Sequence, residues 1–473
     1  MPDPLADPFQ VPEPASAQPG PAADGAAPAT DRAPSSEPAE AVAADGTPEP
    51  AEPAAVPVLS APRDGTPDVI TTQEALDAAL AHLREAVGPV AVDAERASGY
   101  RYGQSAYLVQ LRRADGPIVL LDPVAKLDLT GLAEVLDGPE WVLHAASQDL
   151  PCLAELGLRP RTVFDTELGA RLAGLPRVGL AAVTEHYLGI GLAKEHSAVD
   201  WSTRPMPTTW LTYAALDVEL LLDVRDALAA DLEQQGKLDW AHEEFAAVAA
   251  AGPPAPKVDP WRRTSGVHKL RSRRAQAVVR SLWYAREEQA RRRDVSPGRV
   301  LPDAAVVNAA TQQPRTTAAL AALPVFSGPA NRRLGRYWLD AIDTAMALPE
   351  SELPGPPPRS DGPPPVRAWA DRDPVAAARL ARVRTALARL AEQHTLPLEN
   401  LLTPDTARRL AWDPPGTTAD DVAGFLRARG ARAWQVSLTA PVLADALVRA
   451  AANQAGTSPE APGSDGAPEA DAS

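Results

Sequence analysis

From residue 70 onward the apolar positions switch repeatedly between a helical period and short strand-like runs, and that switching predicts an α/β domain. Thr71-Thr72-Gln73-Glu74 caps an amphipathic run through Leu76, Leu80 and Leu83, so order is expected to begin near Ile70 with a helix. Short apolar runs follow at Val90 to Asp93, Tyr107 to Leu111, Ile118 to Leu121, Trp141 to His144 and Thr162 to Phe164, each reading as a strand. Helical patterns lie at Leu129 to Leu136, Leu150 to Leu156, Glu167 to Leu172, Leu180 to Tyr187 and Thr209 to Leu232. Three strands, then alternating helices and strands, then a helical end, fit a mixed central sheet.

Proline and glycine divide the rest. Ala251-Gly-Pro-Pro-Ala-Pro256 reads as one linker, and Pro354-Gly-Pro-Pro-Pro358 with Gly362-Pro-Pro-Pro365 as a second. The helical modules after each linker look like distant copies. The first runs from a long basic helix to Pro297, Leu301-Pro302-Asp303 and Thr316-Thr317. The second runs from a helix at Pro374 to Pro397, Thr403-Pro404-Asp405 and Thr417-Thr418. The expected division is an acidic disordered tail over 1–63, an α/β domain over 64–246, a linker over 247–262, a helical module over 263–348, a linker over 349–371, a second module over 372–452 and an acidic disordered tail over 453–473.

Charge changes this picture only once it is split by segment. The net charge of -16 argues against a polyanion partner if spread evenly. Residues 1–63, however, carry ten acids against Arg32 and Arg63, and 453–473 carry four acids and no base, so the ends hold most of the excess. Residues 262–299 hold twelve Lys or Arg against Glu287, Glu288 and Asp294, a surplus suited to phosphate. The single Cys152 excludes an intramolecular disulfide, no secretory leader pattern opens the chain, and no apolar run reaches roughly 18 residues. A cytoplasmic, soluble monomer is expected.

The candidate chemistry is acidic. Val90-Ala-Val-Asp-Ala-Glu95 places Asp93 and Glu95 two apart at the end of a buried strand, on one face. Two carboxylates ~4 Å apart at an effective dielectric of ~20 repel by ~4 kcal/mol, and a divalent cation reverses that sign. Tyr213 and Asp217 are four apart in a helical pattern and share its face, while Asp149 opens the helix after the strand ending at His144. Converging at one end of the sheet, this set suits phosphodiester hydrolysis with two hard metal ions, Mg2+ or Mn2+, ~3.5 to 4 Å apart. No Cys or His cluster suggests zinc.

Asp93-Ala-Glu95, His144-Ala-Ala-Ser-Gln-Asp149-Leu150 and Tyr213-Ala-Ala-Leu-Asp217 resemble the three exonuclease motifs of the DEDD superfamily, tyrosine subgroup. Phe164-Asp-Thr166, Asp200-Trp201 and Arg204-Pro205 fall where the ribonuclease D family has similar signatures, and the likeness spans about residues 68–235. It implies a ribonuclease H-like 3′-5′ exonuclease domain. Asp93, Glu95 and Asp217 would bind one metal, Asp93 would bridge to a second, Asp149 would support that second metal through water, and Tyr213 would orient the attacking water. Ala94 stands where the family often has threonine, and Gln148 where glutamate is common.

Residues 268–348 resemble the HRDC domain, with Val300-Leu-Pro-Asp303, Leu320 to Phe326 and Arg336-Tyr-Trp338 in family-like places, and 374–450 resemble a diverged second copy. The resemblance implies an RNA partner with a single-stranded 3′ end, such as precursor transfer RNA, gripped through phosphate by Lys269, Arg271, Arg274, Arg332, Arg333 and Arg336. Tyr100 or Tyr102 would stack on bases near the mouth of the site. Asp165, at a strand-to-helix junction, reads as an N-cap and His144 as structural; Lys194, Glu195 and His196 sit in a loop that faces solvent or substrate. The competing functional classes are a nuclease-like nucleic-acid-binding protein without cleavage and a DNA 3′-5′ exonuclease.

Overall fold

The computed structural model describes residues 56–193, 199–252, 256–356 and 361–455. They form two compact units: one holds Val56–Pro260, Arg286–Val300 and the residues from Pro354, the other Trp261–Ala285 and Leu301–Leu353. In the first, β1 (Val58–Leu59) and β2 (Val69–Ile70) precede α1 (Gln73–Glu85), which Thr72 caps through a hydrogen bond from Ala75 N. Then come β3 (Val90–Arg96), β4 (Ala106–Arg113), β5 (Val119–Leu121), α2 (Thr130–Leu136), β6 (Trp141–Leu143), α3 (Leu150–Glu155), β7 (Val163–Asp165), α4 (Thr166–Ala173), α5 (Leu180–Leu188), β8 (Gly191–Leu192), α6 (Thr208–Glu219), α7 (Leu221–Gln234) and α8 (Leu238–Ala250).

The main sheet has six strands in the order β2-β5-β4-β3-β6-β7. β3, β4 and β5 pair antiparallel, while β2 joins β5, β6 joins β3 and β7 joins β6 in parallel, so the expected mixed sheet is present. Alternation along β3 decides which layer the acids face. Val90, Val92 and Ala94 lie in a core with Leu76, Leu80, Leu83 and Leu132, whereas Ala91 lies in the opposite core with Val218 and Leu221. Asp93 and Glu95 share the face of Ala91.

Several expectations need correction. Order starts before residue 64, because Val58 and Leu59 pair in parallel with Gly191 and Leu192, a ladder hidden by the Pro/Ala-rich surroundings. The helix read over Thr209 to Leu232 breaks at Leu220: Arg112 takes the Glu219 carbonyl, which would otherwise carry the helical ladder across the break. The linker read from 247 is helical to Ala250, since the alanine run there continues α8. Trp261, inside the same expected linker, is buried. The remaining parts of the acidic tails and the triad Lys194, Glu195 and His196 lie outside the described residues.

After α9 (Arg273–Arg293) come α10 (Pro297–Val300), α11 (Asp303–Gln312), α12 (Thr317–Ala321), α13 (Pro329–Arg333) and α14 (Gly335–Ala347); the later series is α15 (Trp369–Arg372), α16 (Pro374–Gln393), α17 (Leu398–Leu401), α18 (Pro404–Trp412), α19 (Ala419–Arg427) and α20 (Ala433–Ala455). The order long helix, short turn, helix, capped helix recurs, with Thr316 capping α12 and Thr418 capping α19, while Thr403 caps α18 and Pro302 at the start of α11 makes no cap. The later series is continuous with the nuclease core, since Phe164, Leu228 and Phe245 share one buried cluster with Trp369, Leu380, Leu410 and Trp434. Trp240 stacks on Trp434 at 5.0 Å, and the Trp434 indole donates to Glu244 at 3.1 Å. Gly174 ends α4 at φ +85°, where a side chain would meet the Thr395 carbonyl at 2.5 Å; glycine alone satisfies both conditions.

Candidate active site

β3 delivers Asp93 and Glu95, and α6 delivers Tyr213 and Asp217 one turn apart against the same sheet face. Asp93, Glu95 and Asp217 each offer an oxygen, and these oxygens lie within 4.8 Å of one another. A register shift at Glu95/Arg96 breaks the strand alternation, and Arg96 reaches Asp149 at 3.6 Å. Asp149 is buried and occupies the N-terminal boundary of α3 without capping it, which leaves its carboxylate to the cluster.

The loop before Asp149 is pinned by Asp165. Its carboxylate accepts from Glu167 N and Leu168 N, the N-cap read from sequence, and also from Ala145 N at 3.0 Å and Ala146 N at 2.9 Å. Ala145 needs that support because it sits at φ 63°, left-handed for a non-glycine residue. His144 is structural as expected: its Nδ1 lies 2.9 Å from the Thr166 hydroxyl, which donates to the Leu143 carbonyl, and burial lowers its pKa to about 4.

Burial dominates the site's electrostatics. It raises Asp93 to about 6 and, with the Asp93 charge adding to it, Asp149 to about 8. Glu95 and Asp217 are pushed well above the usual carboxylate range by burial and then by neighbouring acids. Tyr213 is raised too, first by burial and then by Asp217, Glu95 and Asp93, so its phenol stays protonated. Buried hard oxygen donors crowded beside one arginine fit a divalent cation, which would cancel the repulsion that otherwise holds protons on them. Beneath them Gln110, directly opposite Asp93 in the ladder, is fully buried with neither end of its amide hydrogen-bonded. A group in that position costs on the order of 1–3 kcal/mol. No sequence signal singles it out, because only the strand register places it there.

The loop leading to α6 is clamped by Arg204, bidentate on Asp122 at 2.6 and 2.7 Å and bonded to the Trp201 and Tyr107 carbonyls. Arg101 ties the turn after β3 to Ser202 at 2.7 Å and to Asp294 at 3.6 Å. The half-buried rings of Tyr100 and Tyr102, expected to stack on bases, each carry an arginine over one face: Arg299 at 4.2 Å from the first and Arg291 at 5.4 Å from the second. Of the six expected RNA-contacting cations, Arg332, Arg333 and Arg336 come together on a groove of about 470 Å³ floored by Leu320 and Phe326. Lys269 and Arg271 are exposed. Arg274 departs from that set, since it caps the α14 carbonyls Ala345, Met346 and Leu348 and pairs with Glu350 at 2.9 Å.

With that geometry in place, the chain is 32% identical over 361 residues to ribonuclease D of Gluconacetobacter diazotrophicus, covering 74% of this chain and 88% of that one. The chain belongs to the ribonuclease D family. Ribonuclease D of Escherichia coli is 32% identical over 295 residues, 61% of this chain and 77% of the relative. Residues 67–233 match the 3′-5′ exonuclease family, 275–342 the HRDC domain and 362–447 the 3′ to 5′ exonuclease C-terminal domain. Among solved structures, a protein from Bifidobacterium adolescentis superposes with a TM-score of 0.78 at 39% identity, covering 83% of this chain and all of its own. Escherichia coli RNase D, an exoribonuclease involved in structured RNA processing, superposes at 0.59 with 25% identity, covering 81% and 98%. The ribonuclease D family thus accounts for the nuclease fold and for a following helical HRDC region.

Proposed function

We propose that the chain is a divalent-metal-dependent 3′-5′ exoribonuclease that trims single-stranded 3′ ends of RNA, precursor transfer RNA included, and releases 5′ nucleoside monophosphates. The observation that carries this is the convergence of Asp93, Glu95 and Asp217 oxygens within 4.8 Å on a half-buried sheet face. These three carboxylates and Asp149 would hold the metal ions, two of Mg2+ or Mn2+, which when bound supply water activation and stabilisation of the departing 3′ oxygen.

The chain's own residues do the rest. Tyr213, protonated and one turn from Asp217, offers its hydroxyl to orient the attacking water. Asp165 holds the Asp149 loop, and Arg204 with Asp122 holds the approach to α6, so both acids keep their aim on a rigid frame. Lys269, Arg271, Arg332, Arg333 and Arg336 serve phosphate, giving affinity without base readout. Residues 372–452 serve as a second, diverged HRDC-like module. No helix of the described residues is long and apolar enough to cross a membrane. The chain works in the cytoplasm as a monomer in this reading.

The test is digestion of 3′-extended transfer RNA and matched DNA, read at single-nucleotide resolution, by the chain and by Asp217→Ala with Mg2+, Mn2+ or chelator. Stepwise shortening of RNA that chelator and the variant both abolish is expected. Tight RNA binding with no product under any metal would leave only the binding-protein reading.

A further inference from the structure

Gln110 has no role in the architecture described so far. It lies mid-sheet on β4, fully buried, and neither its amide nitrogen nor its amide oxygen has a partner. Its cross-strand partners are Asp93 on one side and Leu120 on the other. Directly opposed residues share a face, with Cβ atoms roughly 4.5–5.5 Å apart, so the amide stands beside the Asp93 carboxylate. Along β4 the same-face neighbours are Leu108 and Arg112. Leu108 and Leu120 offer nothing polar, and α6 covers them with Ala214 and Ala215.

Arg112 is the informative neighbour. It lies 3.4 Å from the Glu219 carboxylate and donates to the Glu219 carbonyl, which fixes the end of α6 two residues past Asp217. Its buried Nε, however, has no acceptor. The unmatched groups are complementary: Arg112 Nε–H lacks an acceptor, Gln110 Oε1 lacks a donor, Gln110 Nε2 lacks an acceptor, and Asp93 is a carboxylate.

We infer that Gln110 is a positioning residue for Asp93: in the cation-loaded site its Nε2 donates to the Asp93 carboxylate while its Oε1 accepts from Arg112 Nε. The polar line Glu219, Arg112, Gln110, Asp93 then indexes the strand that supplies Asp93 against the helix that supplies Asp217. A hydrogen bond to the back of a ligating carboxylate orients it and sustains metal affinity. This rests on the exoribonuclease reading and adds a residue to it.

The experiment uses the full chain, Gln110→Met and Gln110→Asn. Two quantities are read: melting with and without Mn2+, and the Mn2+ concentration for half-maximal RNA hydrolysis. Gln110→Met, apolar and similar in shape, is expected to melt at or above wild type without metal and to gain less from Mn2+. Its half-saturating Mn2+ should rise by about tenfold or more, with KM for RNA unchanged. Gln110→Asn, an amide one methylene short, should fall between. Wild-type Mn2+ dependence in Gln110→Met overturns the assignment and leaves the nuclease reading intact, as does a variant that loses metal-free stability while keeping its Mn2+ response. A wild-type chain that neither gains stability from Mn2+ nor shortens RNA removes the nuclease reading and this assignment with it.

Discussion

The two helical series after the nuclease strands both bury their large rings, Phe326 and Trp338 in the earlier and Trp369 and Trp434 in the later, but only those of the later join the cluster that holds Phe164 and Phe245. In the later series Arg432 is also held at 3.3 Å by Glu244. In the earlier one, Arg332, Arg333 and Arg336 stay exposed around a groove. The later arrangement completes the nuclease core; the earlier one gathers arginines at an exposed groove, where Arg332 donates to the Ser327 carbonyl and Arg336 pairs with Asp340 at 2.8 Å. The two series therefore differ in what each surface faces more than in the order of their helices.

The comparison breaks most sharply at Trp434. Trp434→Ala removes a ring stacked on Trp240 and the partner of Glu244, and is expected to cost ~3–5 kcal/mol. Urea denaturation should show the nuclease strands unfolding together with the later helices in one transition; separate transitions would show that the shared core does not couple them. Arg274→Ala tests the opposite side, since this arginine of the earlier series caps α14. It should lose roughly 1.5–3 kcal/mol of stability and leave RNA affinity unchanged.

Glu244→Gln gives a smaller, pH-dependent effect. Burial raises the Glu244 pKa despite Arg432 and Trp434, so the folded chain binds its proton more tightly than the unfolded chain does. The stability contributed by the protonated form is present below the ordinary value of 4.5 and is lost as pH rises through the raised one. Melting of the Gln variant relative to wild type should therefore improve from pH 4 to pH 7, and a difference independent of pH would contradict it. The smallest change in stability, within about 0.5 kcal/mol, is expected for the triple substitution of Arg332, Arg333 and Arg336 by Ala. Its effect should appear in RNA binding, where the slope of log affinity against log salt falls by about 2.

Local signals were legible in the sequence and relational ones were not. Thr72 as a cap, the shared face of Asp93 and Glu95 on β3, and Asp165 as an N-cap depend on residues within a few positions of each other. The break at Leu220 depends on Arg112, more than a hundred residues earlier. The pairing of β1 with β8 and the placing of Arg299 and Arg291 over one face of Tyr100 and Tyr102 are likewise long-range. In the site, the acids were readable because motif order carries them. The double use of Asp165, the reach of Arg96 to Asp149 and the isolation of Gln110 were hidden, because loop closure, a strand bulge and register decide them. Arg274 shows the same limit, since composition counts a cation without telling whether carbonyl groups or solvent receive it.

The union of Glu244 with Trp434 spans 190 residues of chain, and that separation sets a clock. At roughly 5–20 residues per second of synthesis, Glu244 leaves the ribosome about 10–40 seconds before the tryptophan that seals the shared core, and the strand bearing Asp93 and Glu95 and the helix bearing Asp217 are out earlier still. For that interval the nascent nuclease has its acids assembled while the apolar side around Phe245 is still uncovered. A chaperone or a neighbouring nascent chain has that long to find it.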